Sequence, residues 1–310
     1  MDFGTRLFRT ALLGLAGNRA ARALSQKYGL KLGASRFVAG ETMDDAIAQA
    51  KRLNAAGITV TLDYLGESIG SMEEAAESEQ AYHALLASIH REGIQGNVSL
   101  KPTQFGLAID RDGCRSGIRS VVKEAARLGL FVRLDMEDSP WTEATINLVR
   151  ELHAEGCCNV GTVIQAYLYR SELDIHQLTA EGINLRLVKG AYKEPRKLAF
   201  DSKRVVDANF RRLIAARLDS RVYTAIATHD EAIIRYTKSY ARTRGIPRTA
   251  FEFQMLYGIR TPLQLALAKE GYTVRSYVPF GRSWYPYFVR RLAERPANLT
   301  FIMRSIFTRK

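Results

Sequence analysis

The feature that most constrains the fold is a repeat of form rather than of letters. A short β-branched run, a glycine or polar turn and a helical stretch follow one another along most of the chain. The strand candidates are 58–65, 97–100, 131–135, 161–167, 183–190, 222–228, 250–256 and 274–280. Between them, 72–92, 116–128, 141–155, 171–181, 201–219, 231–243 and 262–270 carry apolar residues at three- and four-residue spacing. In 201–219, for example, Val205, Phe210, Leu213 and Leu218 stand among Arg and Asp, the pattern of an amphipathic helix. Pro140 and Pro262 sit where a first helical turn begins, and glycines at 57, 129, 156, 182 and 271 close the preceding helices. Strands that alternate with helices make a parallel sheet, and eight such units predict closure as an α/β (βα)8 barrel of the TIM type. An open doubly wound sheet is the alternative, but it normally carries a glycine-rich phosphate loop after its first strand. Here that position reads Leu65-Gly66-Glu67.

The expected organisation is a single domain over 1–310. Residues 1–57 form N-terminal helices beside the barrel, 42–56 being helical; 58–294 form the barrel and a final helix; 295–310 form a tail. With 46% hydrophobic and 25% charged residues, the composition is that of an ordinary globular chain with a large core. No uncharged apolar run is long enough to span a bilayer. The formal charge of +13 is concentrated partly in Arg6, Arg9, Arg19, Arg22, Lys27, Lys31 and Arg36, which face the single acid Asp2 in that stretch. Arg304, Arg309 and Lys310 lie at the other end. Such a balance favours anionic surfaces or ligands; without zinc-finger spacing or an RNP-type aromatic motif, nucleic acid is not expected as a partner. Cys114, Cys157 and Cys158 make no disulfide framework, which fits a cytoplasmic setting, and the five histidines show no metal-ligand spacing.

In a barrel of this kind the chemistry sits at the C-terminal ends of the strands. Polar groups recur there: Glu67, Lys101, Asp135, Gln165, Arg186, Lys189, the run Thr228-His229-Asp230, Gln254 and Tyr277. Singly, each has an ordinary explanation. Asp135 can pair with Arg133 two residues earlier, and Asp230 can cap the helix after His229. Together they predict an active site. The segment from Ser283 to Glu294 adds Tyr287, Arg291 and Glu294 on one helical face with Arg290 beside them. An arginine pair flanked by aromatics suits a carboxylate held by bidentate hydrogen bonds against an apolar body.

These residues, in this order, resemble a known family. Lys101-Pro102-Thr103, Arg133-Leu134-Asp135-Met136-Glu137, the stretch 161–169, Arg186 to Tyr192, Ala227 to Asp230, Gln254 to Gly258 and the Arg290-Arg291 helix are similar to motifs of the flavin-dependent proline dehydrogenases, in particular their monofunctional bacterial branch. The resemblance runs from Leu65 to Asn298. It implies a distorted (βα)8 barrel holding FAD noncovalently and oxidation of L-proline to 1-pyrroline-5-carboxylate. It further implies a quinone as electron acceptor, with peripheral membrane contact through the basic termini, and a separate pyrroline-5-carboxylate dehydrogenase acting next.

Carried onto this chain, the resemblance implies that Lys101, Arg290 and Arg291 clamp the substrate carboxylate, while Tyr192, Tyr277, Tyr287 and Leu187 wall its ring. Asp135 positions the substrate-binding groups, and Arg186 lies against the flavin near its reactive nitrogen; these two are the expected catalytic residues. Met136, Gln165, Lys189, Gly190, Ala191, Thr228 and His229 contact FAD. Glu67 pairs with Arg290 when the site is empty. Tyr277 resembles the proline-preferring rather than the hydroxyproline-preferring form. Two other readings stand beside this one: an aldolase-like barrel forming a Schiff base on Lys189, and a non-enzymatic barrel that binds RNA or membrane through residues 1–36.

Overall fold

The computed structural model describes residues 34–66 and 69–294, with the side chains of Arg290, Leu292, Ala293 and Glu294 outside that description. The expected N-terminal helices before residue 34, Glu67, and the tail 295–310 lie outside the described residues. The elements follow in the order α1 (Met43–Ala55), β1 (Thr59–Tyr64), α2 (Met72–Arg91), β2 (Gly96–Leu100), α3 (Arg111–Arg127), β3 (Val132–Leu134), α4 (Ser139–Ala154), β4 (Val160–Gln165), α5 (Ser171–Ala180), β5 (Leu185–Val188), α6 (Lys203–Asp219), β6 (Thr224–Ala227), α7 (Glu231–Thr243), β7 (Phe251–Leu256), α8 (Thr261–Lys269), β8 (Thr273–Phe280) and α9 (Trp284–Glu294). The strands form one closed barrel in sequence order. Every neighbouring pair is parallel, and β8 returns to β1 with Thr59 opposite Arg275 and Tyr64 opposite Phe280.

Helix starts follow from local chemistry. Thr42 caps α1: its hydroxyl accepts from the Asp45 amide at 3.1 Å, and the Asp45 carboxylate accepts from the Thr42 amide at 3.1 Å, the reciprocal arrangement of a capping box. Helix α3 begins five residues before the expected 116, because the Asp110 carboxylate accepts from the Asp112 amide at 3.1 Å and the helix then runs through Gly113. In α6 it is Val206, not Val205, that packs inward; Val205 is 42% exposed.

The outer faces of the strands carry Val60, Leu62, Val98, Leu100, Val132, Leu134, Leu185 and Phe253, all buried in one apolar core with Leu85, Ile89, Ile118, Val122, Phe210 and Ile233 of the helices. The inner face is different. Many barrels of this type fill the interior with branched apolar side chains; here the bonds that cross it join polar and charged groups. At the N-terminal end, Arg275 Nε lies 2.9 Å from Glu252 Oε1, and Tyr223 donates to Glu252 Oε2 at 3.0 Å. Arg133 donates to the carbonyls of Thr162 at 2.8 Å and Asn184 at 2.7 Å. It reaches Asn184 past Gly161, where an added Cβ would stand 2.2 Å from the Asn184 oxygen and 2.8 Å from Arg133 Nη1. Only a residue without a side chain leaves that crossing open.

A second, smaller apolar cluster joins α9 to the start of the described chain. Trp284, Tyr285, Tyr287, Phe288 and Val289 pack on Ala34, Phe37, Val38 and Leu65, and the Trp284 indole donates to Glu41 Oε1 at 2.9 Å. Among the described residues no helix is long and apolar enough to cross a membrane. Cys157 is buried and Cys158 exposed, so the second thiol is not the packed group its neighbour is.

Two outcomes follow from the interior. Burial pushes the Glu252 carboxyl up, but the charge and hydrogen bonds of Arg275 outweigh it and hold the group below its ordinary range. Its contribution to stability is therefore complete above the ordinary glutamate pKa of about 4.3 and is lost as pH falls through the depressed folded value. Glu252→Gln leaves Arg275 without its counter-charge; the substitution is expected to cost about 3–5 kcal/mol at neutral pH and to flatten the acid limb of melting temperature against pH. Gly161→Ala overfills the crossing and is expected to cost about 1–3 kcal/mol, read as a lower melting temperature with little change in the far-ultraviolet circular dichroism.

Candidate active site

At the C-terminal end of the barrel, six side chains from five strands or strand ends join into one buried network. Arg186, inward on β5, places Nη1 2.5 Å from Asp135 Oδ1, just past β3. Ser99, inward on β2, donates to the same oxygen at 2.7 Å. The Tyr277 hydroxyl, reaching in from β8, lies 2.7 Å from Asp135 Oδ2 and 2.7 Å from Asp63 Oδ2 on β1. Lys101, at the end of β2, holds Nζ 3.3 and 3.2 Å from the two Asp63 oxygens. Asp63 and Ser99 are wholly buried, and Lys101, Asp135 and Arg186 nearly so. The Arg186 guanidinium also lies 5.3 Å from the Tyr277 ring centroid, within cation–π range.

The electrostatics follow from this crowding. Burial pushes the Asp63 carboxyl up; the Lys101 charge pulls it down and the Asp135 charge pushes it up again, with a net rise. Burial, followed by the two carboxylates, also drives the Tyr277 hydroxyl well above the ordinary tyrosine range, so Tyr277 is a neutral donor throughout the physiological range. Asp135 does not pair with Arg133, the alternative open from sequence. Alternation along β3 and past its end puts both inward, but Arg133 spends its donors on Thr162 and Asn184 nearer the N-terminal end, and Asp135 takes Arg186.

Around this network the other expected residues fall into three groups. Gln165 donates to the Glu137 carbonyl at 2.9 Å, and the Glu137 carboxylate accepts from the Thr103 amide at 3.1 Å and hydroxyl at 2.6 Å; this ties the loops after β2, β3 and β4 beneath the same end. Met136 is buried in the core, and Leu187, on the strand face opposite Arg186, is packed there too. Lys189 lies 2.5 Å from Asp207 and 2.8 Å from Asp230, held between two carboxylates. Gly190 has φ 107°, with the Tyr167 ring where a Cβ would stand. Ala191 is exposed and Tyr192 half-buried. The Thr228 hydroxyl accepts from the Asp230 amide at 3.1 Å, and His229 Nε2 accepts from the Leu256 amide at 3.0 Å. Asp230 caps α7, accepting from Ala232 at 2.9 Å.

On α9, the Arg291 guanidinium stacks 5.2 Å from the buried Tyr287 ring. The Arg290 side chain and its expected partner Glu67 lie outside the described residues.

A flavin needs a donor aimed at its ring edge and cations for its phosphates. Arg186 meets the first requirement: its Nε and Nη2 are buried without a hydrogen-bond partner among the described residues, while Nη1 is fixed by Asp135. Unpaired buried donors are costly, and a planar acceptor over β5 would satisfy them. Lys189, at the end of the same strand, is the cation nearest in sequence, held between Asp207 and Asp230. The residues present therefore fit the group. A cleft of about 660 Å³ lined by Arg235, Lys238, Arg242, Arg248 and Tyr272 lies by contrast at the opposite end, where the loops enter β7 and β8. No group of three or more His, Cys, Asp or Glu is placed to hold a metal ion among the described residues.

Sequence reading missed Asp63 and Ser99. The signal was present: Thr61 and Asp63 alternate with Val60 and Leu62, and Asn97 and Ser99 with Val98 and Leu100. A parallel strand covered on both faces reads as a near-continuous apolar run, so a polar residue at every second position marks a polar interior.

Comparison with known proteins agrees with this geometry. The family profile described as proline dehydrogenase matches residues 46–304. Proline dehydrogenase 1 of Bacillus subtilis (strain 168) is 43% identical over 300 residues, covering 97% of this chain and 99% of the Bacillus protein. The proline dehydrogenase of Deinococcus radiodurans is 42% identical over 305 residues, covering 97% and 98%. Among solved structures, proline utilization A from Bdellovibrio bacteriovorus, inactivated by N-propargylglycine, superposes with a TM-score of 0.81 at 28% identity; the match covers 94% of this chain and 37% of that larger one. With the profile spanning most of the barrel and these relatives matching nearly end to end, the chain belongs to the proline dehydrogenase family.

Proposed function

We propose that this protein oxidises L-proline to 1-pyrroline-5-carboxylate, the first step of proline catabolism, with FAD as its cofactor. The observation that carries the reading is the buried chain Arg186–Asp135–Tyr277–Asp63–Lys101 at the C-terminal end of the barrel. It sets cations and an aromatic face together, as an amino acid with a carboxylate and an apolar ring requires.

The chain's own residues bind and orient. Lys101 and Arg291, with Arg290, hold the carboxylate; a guanidinium stacked on Tyr287 is restricted in its rotamers, which lowers the entropy lost on binding. Tyr277 walls the ring, and its hydroxyl is fixed by two carboxylates. Asp135 fixes Arg186 so that its remaining donors face the cofactor. Gln165, Lys189, Thr228 and His229 lie at consecutive strand ends where FAD would be held. FAD supplies the hydride acceptor. Fixing substrate and acceptor in one orientation contributes at most about 7–11 kcal/mol, and closure of α9 over the site excludes water. The onward acceptor we assign is a membrane quinone, reached from the cytoplasmic side, and a separate pyrroline-5-carboxylate dehydrogenase takes the product. The basic segment 1–33 and the tail, whose charges fit an anionic lipid surface, lie outside the described residues.

Two experiments test this. An anaerobic visible spectrum of the purified protein is expected to show oxidised flavin that bleaches on adding L-proline and bleaches more weakly with hydroxyproline; flavin that stays oxidised refutes the substrate. Arg291→Met is expected to raise the KM for L-proline by about 10- to 100-fold, the worth of a charge-assisted hydrogen bond of about 1.5–3 kcal/mol, with flavin content unchanged. Loss of flavin from that variant would instead assign Arg291 to the cofactor.

A further inference from the structure

The contacts of one hydroxyl imply a proton that ordinary ionisation does not supply. The Tyr277 oxygen lies 2.7 Å from a carboxylate oxygen of Asp63 and 2.7 Å from one of Asp135. A tyrosine hydroxyl carries one hydrogen, so it donates to one carboxylate only. If both acids were ionised, the other contact would set two acceptor oxygens against each other at hydrogen-bond distance inside the barrel. One further proton converts that contact into a hydrogen bond.

The surroundings decide which acid holds it. Asp135 accepts from the Arg186 guanidinium at 2.5 Å and the Ser99 hydroxyl at 2.7 Å, donors that suit an anion. Among the described residues, Asp63 meets only the Tyr277 hydroxyl and the Lys101 ammonium, the latter at 3.2 and 3.3 Å, distances long for a charge-assisted bond. It is wholly buried. The groups that face it are Lys101 from the end of β2, Asp135 from beyond β3 and Tyr277 from β8, with Arg186 of β5 behind Asp135; Tyr82 of α2 is also close enough for both acids to drive its hydroxyl upward, after burial. Burial and the neighbouring Asp135 charge both raise Asp63, in keeping with two acids that share one site and cannot both ionise readily.

We propose that Asp63 is held as the neutral acid in the resting site, donating to the Tyr277 oxygen while Tyr277 donates to Asp135, and that its neutrality removes a counter-charge from beside Lys101, the cation assigned to the substrate carboxylate. With both acids ionised, Lys101 pairs with Asp63 and Arg186 with Asp135, and these four side chains carry no net charge. With Asp63 neutral they carry one positive charge, the complement of one carboxylate. Asp63 is thus a positioning residue that acts through Lys101. The inference rests on proline oxidation as the function of this site, but the state of Asp63 is measurable without substrate.

The test uses the purified holoenzyme. Infrared difference spectra across a pH titration are expected to show a protonated-carboxyl carbonyl stretch at neutral pH that shifts in deuterium oxide and is lost in Asp63→Asn. No such band in the wild-type protein, or its persistence in Asp63→Asn, overturns the proposal. Its functional half is read with cyclopentanecarboxylate, a ring carboxylate without an amine, so that no ligand group titrates above about pH 6. As Asp63 ionises, its Kd is expected to rise by about tenfold per pH unit, and Asp63→Asn is expected to remove that slope. A wild-type Kd that stays flat between about pH 6 and about pH 9, or a slope retained in the variant, overturns the role of Asp63 even if the band is present. Should Asp63→Asn not fold, the wild-type band and slope decide alone. Bleaching by L-proline without either result rejects this inference and leaves the proposed activity standing.

Discussion

The ion pair between Arg186 and Asp135 crosses the barrel from β5 to the end of β3, and the catalytic end is arranged around it. A charge inside a low-dielectric interior is tolerated only with a partner and with its remaining hydrogen-bonding capacity satisfied. Asp135 is therefore met by Ser99 and Tyr277 as well, and Tyr277 brings in Asp63, which brings in Lys101. Each added group answers a need created by the one before. The result is a rigid set of donors and acceptors contributed by β1, β2, β3, β5 and β8.

The same reasoning explains why this barrel departs from an apolar interior. At its lower end, Glu252 and Arg275 form an ion pair, Tyr223 donates to Glu252, and Arg133 is hydrogen-bonded to the carbonyls of Thr162 and Asn184. Polar residues thus continue from one end of the interior to the other, and the apolar core is displaced outward to the interface between strands and helices. Stability resides chiefly in that outer layer. The inner layer, where buried charges are met by ion pairs and hydrogen bonds, gives the site its shape.

Much of this could be read from the sequence, for identifiable reasons. The eight strands were legible because the turns carry glycine and the helices carry clear periodicity, and closure followed from their number. Some strands were read one or two residues too long at each end, as at 183–190 against Leu185–Val188, because hydrogen bonding and not side-chain type ends a strand. Arg186, Asp135, Tyr277 and Lys101 were found from their position at strand ends. Asp63 and Ser99 escaped because they lie deeper along β1 and β2, and their importance comes from partners on other strands. Lys189 was located correctly, but its two carboxylate partners, Asp207 and Asp230, come from the next two α-helical beginnings, and no local pattern joins them.

The packing of α9 has a consequence for the order in which the molecule is completed. The helix that bears Arg291 is seated on Ala34, Phe37 and Val38 and hydrogen-bonded through Trp284 to Glu41, residues separated by 243 positions along the chain. During synthesis the seat emerges long before the helix that occupies it. Closure of β8 on β1, which sets Thr59 opposite Arg275, spans a comparable separation, and contacts of such separation are slow to form. The seating of α9 is therefore completed together with the barrel, and a chain interrupted before its final helix lacks Arg291, the residue proposed above to meet the substrate carboxylate.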